Sequence, residues 1–317
     1  MKRFTGHTEK WGEFIDEIKK LGSSTLALTG GEPLLRKDIV DIVKYAHKQG
    51  VPVRIQSNGL LLTEKLASQF KNAGILSFGI GIDGPNADIH DKIRNKKGAF
   101  KEAIKAIKLL KSKDIKVHVE YTANKLNYEK LVETLDVLEL LGIDTFLARA
   151  TVFTGRATIH NAVFRVSNME YKKFLEQLSI ERKKRKIILN SQDPLYHLAD
   201  KEIVESLKKY GDITSGKVLS GCTAGLNIAH IHSDGRVGVC TFLSNLIIGN
   251  VFEKPLSQIW EERTKMPEIK RLINREYNGA CKNCSDRFIC GGCRARALIL
   301  NNDLFGHDPY CWKHCNA

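Results

Sequence analysis

The sequence predicts an α/β protein, with helix–strand units wound around a parallel sheet and a small cysteine-rich domain after about residue 215. Three observations lead there. Short apolar segments alternate with amphipathic helical ones over the first 150 residues. The apolar segments end in polar or glycine-rich turns, as at Gly30-Gly31-Glu32-Pro33, Ser57-Asn58-Gly59 and Asp83-Gly84. All eight cysteines lie at or beyond Cys222.

The first element is a helix from about Thr8, because Trp11, Phe14, Ile15, Ile18 and Leu21 recur on one face and Gly22 closes it. A buried-type strand, Ser24 to Thr29, leads into the first glycine turn. A helix over about Lys37–Gln49 precedes a strand at Val53–Gln56. Thr63 then caps a helix to about Asn72. A third strand, Ser77–Ile82, ends at Asp83-Gly84. Helices at about Phe100–Lys113 and Tyr128–Leu141 precede strands at Lys116–Tyr121 and Thr145–Ala150. Such alternation argues for right-handed βα units, whose chemistry sits at the carboxyl ends of the strands. Because it opens on a helix, a first strand is expected upstream. Between about 155 and 215 only a helix near Glu170–Arg185 is legible. Beyond Cys222, Asn227–Cys240 reads as a hairpin turning at Ser233-Asp234-Gly235, and Pro255–Arg263 as a short helix.

With 42% apolar and 27% charged residues, the composition is that of a globular protein. No run of 18 apolar residues exists and the first residues lack an apolar signal core, so membrane insertion and secretion are not expected and the cytoplasm is the default location. The net charge of +14 raises a nucleic-acid reading. Its lysines lie mainly on amphipathic helices, which reads as a solvated surface or as attraction for an anionic substrate.

The cysteine spacing is Cys222-x12-Gly235-x4-Cys240, then Cys281-x2-Cys284-x5-Cys290-x2-Cys293, then Cys311 and Cys315. Clustered thiols in a reducing compartment read as metal ligands rather than disulfides. Eight suffice for two [4Fe–4S] clusters, and CxxC pairs serve zinc equally well, so spacing alone leaves both open. Gly291-Gly292 would let the backbone approach a bulky cluster.

This pattern resembles the SPASM domain of radical S-adenosylmethionine (radical SAM) enzymes. So does its setting: Gly221-Cys222-Thr223-Ala224-Gly225, Ile259-Trp260, Cys290-Gly291-Gly292-Cys293-Arg294-Ala295-Arg296 and Asp308-Pro309-Tyr310-Cys311. The resemblance favours iron–sulfur over zinc. It implies an outer auxiliary cluster on Cys281, Cys284, Cys290 and Cys311, and an inner one on Cys222, Cys240 and Cys293, with Cys315 as candidate fourth ligand. The earlier part resembles the radical SAM barrel, a partial (βα)6 TIM-like fold. Gly30-Gly31-Glu32-Pro33 matches the motif that holds the SAM amine, an ammonium group that wants a carboxylate and open carbonyls. Asn58 lies in the matching turn after the next strand. Asp83, His90-Asp91, Arg94, Gly98 and Phe100 match the following segment, with Arg94 as the cation for the SAM carboxylate. Thr154-Gly155-Arg156-Ala157 resembles a later motif.

Two departures stand out. The family's Cys-x3-Cys-x2-Cys, which carries the cluster that splits SAM into methionine and a 5′-deoxyadenosyl radical, is absent, and so is the first strand. Truncation or a degenerate homologue would account for both, and the polypeptide as given is expected not to cleave SAM. The second departure is Gly81, where many members have serine.

The resemblance implies two auxiliary [4Fe–4S] clusters, SAM, and an electron donor such as ferredoxin or flavodoxin. The substrate expected first is a peptide or protein modified by hydrogen abstraction. Tetrapyrrole side-chain modification in heme biosynthesis is the alternative, and a non-catalytic iron–sulfur protein a third reading. No general base can be named.

Overall fold

The computed structural model describes residues 8–23, 25–216 and 219–313. Two compact units emerge. One comprises Gly6–Ala148 with Glu181–Asn190; the other includes Arg149–Ile180 and Ser191–Ala317.

The first unit is built on a six-stranded sheet in the order β1 to β6: Leu26–Leu28, Val53–Ser57, Ser77–Gly81, Val117–Ala123, Thr145–Ala150 and Ile188–Ser191. β1–β2, β2–β3 and β3–β4 pair in parallel. Sequential strand order with a helix after each early strand is that of an open, partial barrel. Helices α1 (Thr8–Lys20), α2 (Ile39–Lys48), α3 (Glu64–Asn72), α4 (Ala87–Arg94), α5 (Ala99–Ser112) and α6 (Leu131–Leu140) supply the outer layer. Phe70 of α3 meets Phe78 of β3 edge to face at 5.2 Å. Ile55, Phe78, Ile80, Val119 and Tyr121 are fully buried. The helices therefore cover the strand face that carries these side chains, and the alternate residues occupy the other face.

Local chemistry sets the boundaries. Thr63 Oγ1 accepts the Leu66 N–H at 3.2 Å and starts α3. The expected helix at Tyr128 begins instead at Leu131. An asparagine-built turn precedes it, in which Asn124 N donates to Asn127 Oδ1 and Tyr121 Oη to the Asn127 carbonyl. Helix α4 was not anticipated between Asp83 and Phe100; Asn86 caps it through the Ile89 N–H. β6 was missed as well. It has four residues, of which only Leu189 is buried, so no alternation marks it. Ser24 of the first expected strand lies outside the described residues.

The second unit holds a three-stranded sheet, β7 (His230–Ile231), β8 (Arg236–Gly238) and β9 (Ile247–Asn250), with β7–β8 the antiparallel hairpin expected around Gly235. Its apolar core includes Val152, Val239, Leu243, Ile269, Leu272, Tyr277 and Ala295, with Cys222, Cys240, Cys281 and Cys293 packed against it. No described helix is long and apolar enough to cross a membrane.

Candidate functional site

At the carboxyl ends of β1 and β2 the two turns meet. Glu32 Oε1 accepts from the Leu34 N–H at 3.1 Å and from Ser57 Oγ at 2.8 Å, and Oε2 accepts from the Asn58 N–H at 2.9 Å. Three of roughly four lone-pair sites are thereby filled, which fixes the carboxylate and leaves capacity for one further donor. Gly30 has φ +131, open only to glycine, and a β-carbon on Gly30 or Gly31 would meet nothing within 4 Å. The glycine backbone is bare, as a ligand-facing turn requires. Asn58 contributes its main chain; its side chain caps its own turn through the Leu60 N–H at 2.9 Å. Ser57 was not singled out as a binder, yet it orients Glu32.

Asp83 is 1% exposed. Its Oδ2 lies 2.6 Å from Arg94 Nε and its Oδ1 accepts the Thr122 N–H at 3.1 Å. It holds Arg94 rather than facing a ligand itself. His90 is likewise buried, taking the Asp83 N–H at 3.0 Å, and Asp91 is bound to the Gly98 and Phe100 amides. A β-carbon at Gly81 would stand 2.2 Å from Arg94 Nη2. The glycine that departs from the family pattern is the space in which the Arg94 guanidinium lies. Because the obstacle is the end of a flexible side chain, Gly81→Ser should fold normally while displacing that guanidinium. If Arg94 takes the SAM carboxylate, as the resemblance implies, the change should weaken SAM binding about tenfold, the value of one hydrogen bond to a charged group. Equilibrium dialysis beside a thermal melt checks both. The turn at Gly155–Thr158 carries the last expected motif.

In the second unit, Cys281, Cys284, Cys290 and Cys311 line one cleft, together with His197 and Lys313. Burial pushes the Cys290 thiol well above its ordinary value, and the neighbouring Asp308, Cys311 and Cys281 push it further. Cys222, Cys240 and Cys293 form the other group. Burial raises Cys240, with a contribution from Cys222. It takes Cys293 up to about 12, again with Cys222 contributing. Cys315 lies outside the described residues. Among the described residues no three His, Cys, Asp or Glu side chains are placed to hold a single metal ion.

The backbone ties the groups together. Cys222 N donates to the Cys290 carbonyl at 2.9 Å. Gly221, at φ +69, allows this, since a β-carbon there would lie 1.9 Å from that carbonyl oxygen. The Gly292 amide donates to Cys290 Sγ at 3.3 Å and the Phe242 amide to Cys240 Sγ at 3.4 Å. Amide-to-sulfur bonds of this kind stabilise thiolates and tune cluster potentials. Thiols this reluctant to ionise alone become ligands only when a metal displaces their protons. A soft, all-sulfur donor set in two half-buried groups fits iron–sulfur clusters.

Gly291 and Gly292, expected to let the backbone approach a cluster, have a second role that spacing did not show. A β-carbon on Gly291 would meet Arg275 Nη1 at 1.8 Å, and one on Gly292 would meet Arg294 Nη2 at 2.5 Å. These glycines make room for buried arginines. Arg294 and Arg296 lie at 1% and 2% exposure. Arg296 is shared between Asp193 and Asp308, and Asp308 Oδ2 also accepts the Cys293 N–H at 2.6 Å. Both partners stand in legible sequence, but nothing in spacing shows that they meet.

The profile of the Radical SAM superfamily matches residues 3–138, and that of SPASM, an iron-sulfur cluster-binding domain, matches residues 222–285. The AdoMet-dependent heme synthase of Methanosarcina barkeri is 32% identical over 313 residues, 96% of this chain and 86% of that one. The chain is a radical SAM enzyme with a SPASM domain. Radical SAM/SPASM proteins carry SAM and iron–sulfur clusters as cofactors. The PqqA peptide cyclase of Ruegeria pomeroyi is 26% identical over 96% of this chain and 78% of that one. Among solved structures, Streptococcus suis SuiB bound to its precursor peptide SuiA superposes with a TM-score of 0.75 at 18% identity, covering 95% of this chain and 67% of SuiB. That likeness supports the fold.

Proposed function

We propose that the substrate of this radical SAM/SPASM enzyme is a tetrapyrrole of heme biosynthesis, whose side chain is modified once a SAM-cleaving cluster is held, for which residues 1–221 supply no cysteine. One observation carries the reading: the 32% identity to a heme synthase spans nearly the whole chain. The peptide substrate expected first from sequence has the 26%-identical PqqA peptide cyclase behind it, and SuiB argues for architecture only, because one fold hosts many substrates. The order of preference is therefore reversed.

In this reading Glu32 takes the SAM ammonium with the Gly30-Gly31 backbone, and Arg94, steadied by Asp83, takes the carboxylate. Cys281, Cys284, Cys290 and Cys311 hold the outer cluster; Cys222, Cys240 and Cys293, with Cys315, hold the inner one. The clusters supply one-electron chemistry, and the chain's own part is to bind, orient and shield. Ferredoxin or flavodoxin is the electron donor, residues 1–215 form the barrel and 216–317 the SPASM domain. The test is an absorbance titration of the reconstituted chain with iron coproporphyrin III. A saturable Soret shift is expected. No shift, together with saturable binding of an acidic leader peptide, would overturn the reading.

A further inference from the structure

The face of the sheet turned away from the helices has an unusual composition. The interior of a βα barrel is ordinarily filled by bulky apolar side chains. Here β1 offers Ala27, β2 offers Arg54 and Gln56, β3 offers Ser77, Gly79 and Gly81, and β4 offers His118, Glu120 and Thr122. No large apolar side chain stands on this face of the four strands.

Gln56, Gly79 and His118 are register partners on β2, β3 and β4. Gln56 Nε2 and His118 Nε2 meet across the middle strand at 2.9 Å. Gly79 makes that possible, since a β-carbon there would lie 1.7 Å from Gln56 Oε1 and 2.5 Å from His118 Nε2. Glu120 lies 3.9 Å beyond, with 17% of its side chain accessible against 8% for His118. The Gln56–His118 hydrogen bond offsets the cost of taking the imidazole out of water.

Arg54 stands two residues before Gln56 on the same strand face, about 7 Å away by strand geometry. It is exposed. Among the described residues it has no hydrogen-bond or ion-pair partner. Its register partners, Ala27 and Ser77, are small and leave the space around it open. The row thus runs from an unneutralised guanidinium, through an amide and an imidazole, to a carboxylate at the β4 end. An anion is drawn to the β2 end, where the Arg54 guanidinium stands.

We propose that Arg54, with Gln56 beside it, receives a carboxylate side chain of the substrate, and that His118 holds the Gln56 amide in place as a positioning residue. This rests on the tetrapyrrole reading and adds the group by which the macrocycle is recognised. The planar fork of Arg54 suits a carboxylate, and the adjacent amide can supply a further donor.

The test uses metal-free coproporphyrin III, so that axial ligation of iron cannot mimic recognition, and its tetramethyl ester, each followed by fluorescence. The wild-type chain should bind the acid more tightly than the ester. Arg54→Gln should bind the acid about tenfold more weakly, the loss of one charge-assisted bond, and the ester unchanged. Arg54 is exposed, so this variant should keep the wild-type melting temperature. His118→Phe, which cannot hold Gln56, should lose part of the same preference. Equal binding of acid and ester by the wild type, or an Arg54→Gln variant that keeps the preference, overturns this inference and leaves the tetrapyrrole reading standing. Binding of neither porphyrin overturns both.

Discussion

Replacing Cys290 by serine is expected to remove one cluster and spare the other. Cys290 lies in the cleft with Cys281, Cys284 and Cys311, while Cys293, three residues on, is electrostatically linked to Cys222. Cys290→Ser should therefore lower the iron content by about four atoms per chain, and Cys293→Ser by about four others. If the ligands divide as proposed, the double variant should lose about eight. Metal and sulfide analysis with Mössbauer spectra of each variant decides the matter. If either single change emptied both sites, the division into two groups would be wrong. The melting temperature should fall too, because metal binding at such sites is coupled to folding.

The second large effect is expected at Arg296. Its guanidinium is buried between Asp193 and Asp308, with the Tyr171 and Tyr310 ring centroids at 5.7 and 5.0 Å. Arg296→Met leaves two carboxylates buried without their cation. The loss should be about 3–5 kcal/mol, the usual result of breaking a buried pair from one side. That is a large fraction of the ~5–15 kcal/mol that holds a typical domain together. Lysine should not restore it, having no fork to serve two carboxylates.

The pH dependence carries a sign. Burial alone would raise the Asp193 carboxyl, but the Arg296 charge and its hydrogen bonds outweigh burial and hold it below its ordinary 3.8. A depressed folded value adds stability that is present above the unfolded value and lost as pH falls through the folded one. Wild-type stability from this group should be level above about pH 5 and fall below about pH 4. In Arg296→Met the Asp193 carboxyl keeps its hydrogen bonds from Leu195 and Tyr171 but loses the charge that offsets its burial, so its value should rise and stability should be lost as pH rises through the new value. Urea melts at pH 5 and pH 8 should show the variant more stable at the lower pH, against a nearly unchanged wild type.

Much of this architecture was written in periodic apolar residues. Ile55, Phe78 and Val119 repeat at strand spacing and are buried against helices, so the early strands were legible. β6 was not, because one buried leucine among Ile188–Ser191 carries no period. The thiol groups were legible from spacing together with a family pattern. Contacts that depend on tertiary approach were not. Nothing local announces that Ser57 will orient Glu32, that Gly81 leaves room for Arg94, or that Gly291 faces Arg275. Gly81 read only as a departure from a family serine, and Gly291 only as room for a cluster; the side chains beside them come from distant segments.

The most direct test is the metal content of the chain purified and reconstituted without oxygen. The account predicts about eight iron and eight sulfide per chain, with the spectra of two [4Fe–4S] clusters. Stoichiometric zinc with negligible iron would contradict it.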